Sequence, residues 1–349
     1  MTTLPRRVLP GLNIEVSALG AGCWTIGGPA INAGVPIGWD DVNPDAAYAG
    51  LVRAHELGVR LFDTADVYGL GRSERLVGRL LANIDRSTVV VSSKVGYFAG
   101  TARHPYVPAQ LRHQFATTLD NLGTGYLDVY YLHSADFGDD DRYLPGAIEV
   151  LKELRAQGRI RAVGIRAPHV FAEEWATGQG PRAKQAARFL HLCQAIEPEV
   201  VTVRYNLLSP LYRDDETDIF AFAGRHDIGV IVKQALGQGL LIKPDAWESP
   251  TYSASDHRSR DPEFQSHTLT GLRQRLAPIR GQLGSSPAEL ARVALRYVLQ
   301  TAPKSPVLVG FRDASQINST LTSLGDPLTP DEINDIRTAL HSAARKETA

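Results

Sequence analysis

The segment LDVYYLHSADFGDDDRYLPGAIEVLKELRAQGRIRAVGI, residues 127–165, decides the fold. It opens with the apolar run Leu127–Leu132 and passes through a polar loop. From Pro145 it places Ala147, Val150, Leu151 and Leu154 at helical spacing, stops at Gly158, and starts a second run at Arg161–Ile165. A short β-branched or aromatic run between turn residues reads as a strand, and apolar residues three and four apart read as the buried stripe of a helix. Proline near the start and glycine past the end mark the limits of that helix. Strand, helix and strand in succession make a βαβ unit, whose two strands lie parallel.

The unit repeats outward in both directions. Strands are expected at Ser17–Ala21, Arg60–Asp63, Thr88–Ser92, Leu127–Leu132, Arg161–Ile165, Val200–Arg204, Gly229–Lys233 and Pro306–Val309. Helices are opened by Pro44-Asp45, by Pro108, by Pro145 and by the capping sequence Ser286-Pro287-Ala288-Glu289. Eight strands alternating with helices, with no composition break, predict an α/β protein that is one (β/α)8 TIM barrel over residues 1–349. The competing fold is an open doubly wound sheet. Against it, Gly20-Ala21-Gly22 lacks the third glycine of a dinucleotide turn, Thr25 standing in its place, and leads into a loop rather than a helix. Arg7–Glu15, with Pro10-Gly11 at its turn, reads as a β-hairpin that closes the far end of the barrel. Two long βα loops, Trp24 to Asn43 and Gly237 to about Gln265, read as binding loops.

Composition narrows the function. The chain has 349 residues, 43% hydrophobic and 21% charged, with 37 basic against 38 acidic side chains and a net charge of -1. Without a basic run there is no electrostatic footprint for nucleic acid or an anionic membrane. Cys23 and Cys193 stand apart without metal-ligand spacing, so neither a disulfide framework nor a zinc site is expected. The N-terminal MTTLPRRVLPGL lacks an apolar signal core and no stretch approaches the length of a membrane span, so a cytoplasmic protein is expected.

In a barrel, residues at strand ends converge on one face. Strand two runs out into Phe62-Asp63-Thr64-Ala65-Asp66-Val67-Tyr68-Gly69, strand three into Ser92-Ser93-Lys94, and strand four into Leu132-His133. A phenol is a poor proton donor or acceptor near neutrality unless a cation stabilises its phenolate. Lys94 would lower the Tyr68 pKa, Asp63 would balance Lys94, and His133 would orient a substrate oxygen. Together they would protonate a carbonyl oxygen while hydride reaches its carbon, or run the reverse.

These blocks resemble the catalytic tetrad of the aldo-keto reductase superfamily, most closely its long-loop branch of bacterial reductases and aldose dehydrogenases. The likeness continues through Arg159–Ile165, Tyr205–Leu208, Leu236–Leu241 and Gly310–Gln316, and so spans about Leu12 to Leu324. It implies an NAD(P)-dependent enzyme interconverting a small aldehyde, ketone or sugar and its alcohol, with Asp63, Tyr68, Lys94 and His133 as catalytic residues. It further implies that Tyr205 stacks on the nicotinamide, that Gly237 and Leu240 lie by the pyrophosphate with Arg258 as a clamp, and that Gly310, Arg312 and Gln316 surround the adenosine phosphate. Trp24 and Trp39 of the first loop would wall the substrate pocket.

The pattern departs from the family where the carboxamide is held. Arg166-Ala167 replaces the usual Ser-Asn after strand five, Thr202 replaces a Gln on strand six, and Ser319-Thr320 replaces a Glu-Asn that meets adenine. Arg166 would then supply the lost hydrogen bonds or bind an anionic substrate group. The coenzyme is expected to be NADP, with NAD the alternative, because the guanidinium of Arg312 suits a 2′-phosphate. Two other readings use the same residues: a cofactor-binding regulatory subunit of this fold, and a cofactor-independent dehydratase or isomerase. No metal, nucleic acid or membrane partner is expected, and the oligomeric state is left open.

Overall fold

A computed structural model describes residues 4–242 and 252–341, so residues 243–251 of the second long loop lie outside the described residues. The strands are β1 (Arg6–Leu9), β2 (Ile14–Ser17), β3 (Leu19–Gly22), β4 (Ile31–Asn32), β5 (Val35–Pro36), β6 (Leu61–Asp63), β7 (Val90–Val95), β8 (Leu127–Leu132), β9 (Ile160–Arg166), β10 (Val200–Arg204), β11 (Gly229–Lys233) and β12 (Val307–Gly310). Eight of them close a parallel barrel in the order β3-β6-β7-β8-β9-β10-β11-β12, with β12 returning to β3. The (β/α)8 architecture expected from the repeat is the architecture observed.

Helices α1 (Pro44–Glu56), α2 (Arg72–Leu81), α3 (Pro108–Leu122), α4 (Leu144–Ala156), α5 (Pro181–Ile196), α6 (Ile219–Arg225), α7 (Ser266–Leu283), α8 (Pro287–Thr301), α9 (Ala314–Thr322) and α10 (Pro330–His341) surround the strands. The four ends read from sequence hold within a residue. Asn43 caps α1 through the Asp45 and Ala46 amides, and Ser286 with Glu289 forms a reciprocal capping box on α8. Gly123 closes α3 in the left-handed conformation.

The barrel interior has two storeys, set by the two-residue period of strands. The lower one packs Leu61, Val90, Val129, Tyr131, Ala162, Val200, Ile231 and Leu308 with Leu9 and Val16 of the β1–β2 hairpin. Most of these barrel residues come from the first half of their strands and pack on the hairpin, so the hairpin plugs the N-terminal end, as its sequence implied. Gly164 faces this space because any Cβ there would overlap the Tyr131 ring. The expected first strand, Ser17–Ala21, is instead divided between β2 and β3. The break at Ala18 is held by its amide on Pro5 O, and by Ser17 Oγ, which donates to Leu19 O and accepts from Arg60 N.

The upper storey is polar. Asp63, Lys94, Arg166, Arg204 and Lys233 occupy the inward positions at the C-terminal ends of β6, β7, β9, β10 and β11. The first long loop is also more ordered than its composition suggested, carrying a 3-10 turn at Thr25–Gly27 and the β4–β5 ribbon. No described helix is long and apolar enough to cross a membrane.

Candidate active site

Asp63 ends β6 with its side chain facing inward, 6% exposed. Its two oxygens accept from Ser92 Oγ and from Lys94 Nζ, each at 2.7 Å, and Lys94 Nζ also donates to Thr64 O at 2.6 Å. Lys94 is thus locked by two strands and points under the Tyr68 ring, with Nζ 4.7 Å from the ring centre. Tyr68 sits in a turn between β6 and α2, fixed by its amide on Ala65 O and its carbonyl under Ser73 N. Gly69 permits that turn through a left-handed φ of 62° and packs against Gly27 of the first loop. His133 follows β8 with its amide on Val95 O, and its ring stands edge-on to Tyr68 at 6.1 Å. The four residues read from sequence are therefore brought together on one rim.

Burial sets their protonation. It is the largest influence on Tyr68 and raises the phenol above its ordinary value, although Lys94 and Arg166 pull the other way. Lys94 does lower the phenol's pKa as expected, but burial outweighs it, so the phenol ends above its ordinary value and stays protonated through neutrality. Burial likewise pulls Lys94 down, but Asp63 and the phenol outweigh it and the ammonium ends above the usual lysine value. His133 is pushed well below an ordinary histidine by burial and by Lys94, Lys233 and Arg166, so its imidazole is neutral. Its Nδ1 is buried without a partner among the described residues. A protonated phenol, a cation beneath it and a neutral imidazole beside it suit delivery of a proton to a carbonyl oxygen.

These groups open into a cleft of about 1160 Å³ across the barrel mouth. Trp24 stacks on Tyr68 at 5.9 Å and meets Trp39 edge-on at 5.2 Å, so both tryptophans wall the cleft. The described part of the second loop clasps the first. His257 N donates to Gly38 O, and Asp256, fully enclosed, accepts from Asp40 N and from Arg258. Leu240, Gly310, Arg312 and Gln316 also line the cleft, while Gly237, at φ 56°, shapes the turn after β11.

Three placements differ from the sequence expectation. Tyr205 lies outside the cleft. Its ring packs on Phe220 and Tyr297 and its hydroxyl donates to Thr301 Oγ1, because the strand period that turns Arg204 inward turns Tyr205 outward. Thr202 is enclosed on the inner face one step below Arg204 and takes no part in the cleft wall. Arg258 is no free clamp: Asp256 takes its Nε and Nη2, and Trp39 and Tyr252 sandwich its guanidinium. Gln316 turns its Oε1 onto Arg312 N.

Sequence reasoning missed several cleft residues, namely Tyr97, His169, Lys233, Gln234 and His257. Lys233 ends an apolar strand just as Lys94 does, and that signal was available. The others depend on loop conformations that no local pattern shows.

A model of the Aldo/keto reductase family matches residues 18–341. The chain belongs to the aldo/keto reductase family. As a member it is an oxidoreductase acting on carbonyl or alcohol groups. It is 26% identical to the NADH-specific methylglyoxal reductase of Escherichia coli (strain K12), over 89% of this chain and 91% of that one. It is 27% identical to the aldo-keto reductase YhdN of Bacillus subtilis (strain 168), over 94% and 91%. Among solved structures, a glycerol dehydrogenase from Gluconobacter oxydans shares the fold with a TM-score of 0.73 at 24% identity, covering 97% of this chain and 95% of that one.

Proposed function

We propose that this family member reduces a small aldehyde or ketone to its alcohol with NADPH, Tyr68 giving the proton. The observation that carries the reading is the Asp63–Lys94 pair at 2.7 Å beneath a protonated phenol, with neutral His133 beside it, at the floor of one large cleft.

The cleft suits a dinucleotide on grounds of its own. Gly310 leaves the wall open where a Cβ would press on Thr25 Oγ1, and Gln234 Oε1 is buried in the cleft wall without a partner among the described residues. Arg312, Gln316 and Gly310 would hold the adenosine end, and the Gly237–Leu240 turn the pyrophosphate. When bound, the reduced dinucleotide supplies hydride. Tyr68 donates its proton to the developing alkoxide, and Lys94 stabilises the phenolate left behind. His133 directs the substrate oxygen toward Tyr68, and Asp63 keeps Lys94 charged and aimed. Trp24 and the clasped loops exclude water from the reacting atoms.

The preference for NADPH rests on Arg312, whose guanidinium is one-third exposed and only loosely paired with Asp40 at 3.9 Å. A fluorescence titration is expected to show tighter NADPH than NADH; equal or tighter NADH would overturn the preference. The proton assignment is tested with a carbonyl panel on Tyr68→Phe, which should keep dinucleotide binding and lose turnover. Full turnover in that variant would overturn the mechanism.

A further inference from the structure

Three consecutive strands of the barrel end in an inward-facing cation: Arg166 on β9, Arg204 on β10 and Lys233 on β11. Arg204 is neutralised by Glu263 at 2.5 Å. The other two have no carboxylate among the described residues. Arg166 bonds only neutral groups, Tyr97 Oη at 3.2 Å and His169 Nε2 at 2.9 Å. Arginine has no acceptor, so His169 accepts, and its ring stays neutral because burial, with Arg166, Arg204 and Lys233 nearby, holds it down at about 4. The Lys233 ammonium forms no hydrogen bond or ion pair among the described residues. Burial and the like charges of Arg166, Lys94 and Arg204 press its ammonium well below the usual lysine range, and only Asp63 opposes them. The Arg166 and Lys233 side chains both line the cleft wall and are partly open to it, so an anion entering the cleft can reach them. They stand two strands apart, roughly 10 Å, line the same cleft, and the charge of Arg166 acts on Lys233. Arg166 is linked through Tyr97, whose ring lies 4.7 Å from His133, to the catalytic floor.

We infer that Arg166 and Lys233 form a subsite for an anion, and that the substrate is a small oxo compound bearing a carboxylate or phosphate near its carbonyl. The guanidinium fork matches either group bidentately and the ammonium adds a point charge. Neither an uncharged carboxamide nor a cationic pyridinium offsets two positive charges, so the carboxamide-binding residues lost at Arg166-Ala167 and Thr202 are not replaced in kind. The inference rests on the redox reading for what happens at the carbonyl, and stands apart from it for the binding of the anion.

The test compares matched pairs on the full-length protein with saturating NADPH: succinic semialdehyde against butanal, and glycolaldehyde phosphate against glycolaldehyde. The anionic member of at least one pair is expected to lead in kcat/KM by about tenfold or more, chiefly through KM, and the pair that shows it identifies carboxylate or phosphate. Lys233→Met and Arg166→Gln should each reduce that preference about tenfold, and Lys233→Arg should restore it. Preference for the neutral member in both pairs, or equal loss for both members in the variants, overturns the inference. A second arm needs no turnover: succinate and inorganic phosphate are titrated against tryptophan fluorescence. Saturable quenching in the wild type that weakens in Lys233→Met supports the subsite; no saturation, or none of that weakening, refutes it. If neither dinucleotide supports turnover of any carbonyl, the redox reading fails and the titration alone decides the anion subsite.

Discussion

Lys94 and Lys233 occupy equivalent places, each the inward-facing lysine at the C-terminal end of an apolar barrel strand. Burial acts on both in the same sense, yet one ammonium ends above the ordinary lysine value and the other well below it. The difference is the neighbour. Lys94 meets Asp63 at 2.7 Å, while Lys233 meets Arg166, Lys94 and Arg204. The barrel thus supplies equivalent positions, and the partner on the adjoining strand decides whether a lysine there works on a neighbouring group or waits for a ligand.

The largest expected effect lies on the paired side. Tyr68→Phe removes the proton that Lys94 supports and should lower kcat/KM for carbonyl reduction by about 10²–10⁴. Steady-state kinetics on the purified variant check this. Asp63→Asn breaks the comparison by giving Lys94 the surroundings of Lys233. A buried ammonium stripped of its carboxylate should destabilise the fold by about 3–5 kcal/mol, read from urea unfolding. An unchanged midpoint would mean that Thr64 O alone holds Lys94.

Lys233→Met sharpens the contrast from the other side. Deleting a cation that has no partner should stabilise the protein by about 1 kcal/mol, whereas Lys94→Met, which strands Asp63, should destabilise it. Thermal unfolding of the two variants side by side is the measurement, and shifts of the same sign would remove the distinction.

The smallest effect is a flat one. The phenol of Tyr68 is raised, so its acid form persists through neutrality and is lost only on the alkaline side. The imidazole of His133 is depressed, so it stays neutral until well into the acid range. The kcat/KM profile for reduction is therefore expected to be level from about pH 6 to 8 and to fall only at high pH. A transition centred inside that window would show that one of these groups is more open to water than its burial indicates.

Asp63, Lys94 and His133 were legible in the sequence because each closes or directly follows an apolar strand run, a local signal that survives without coordinates, and Tyr68 because it stands in the loop that leaves the Asp63 strand. Four helix ends were legible for the same reason, since caps and stop glycines act on their own backbone. The division of the first strand at Ala18 was not, because it depends on Pro5, Leu19 and Arg60 meeting Ser17–Ala18 across the chain. Tyr205 was placed in the cleft from resemblance, and the strand period sent it outward to Tyr297 and Thr301. Arg258 has the charge for a phosphate clamp, but Asp256 two residues away takes its hydrogen bonds once the loop folds back on Gly38.

By itself the sequence determined the alternation of strands and helices, the barrel that follows from it, and the residue types carried to the rim, because periodicity and capping are properties of neighbouring residues. Only the tertiary structure decided which charges meet. The pairing of Lys94 with Asp63, the isolation of Lys233 beside Arg166, and the protonated state of Tyr68 all depend on distances between strands far apart in the chain and on how deeply each group is withdrawn from water.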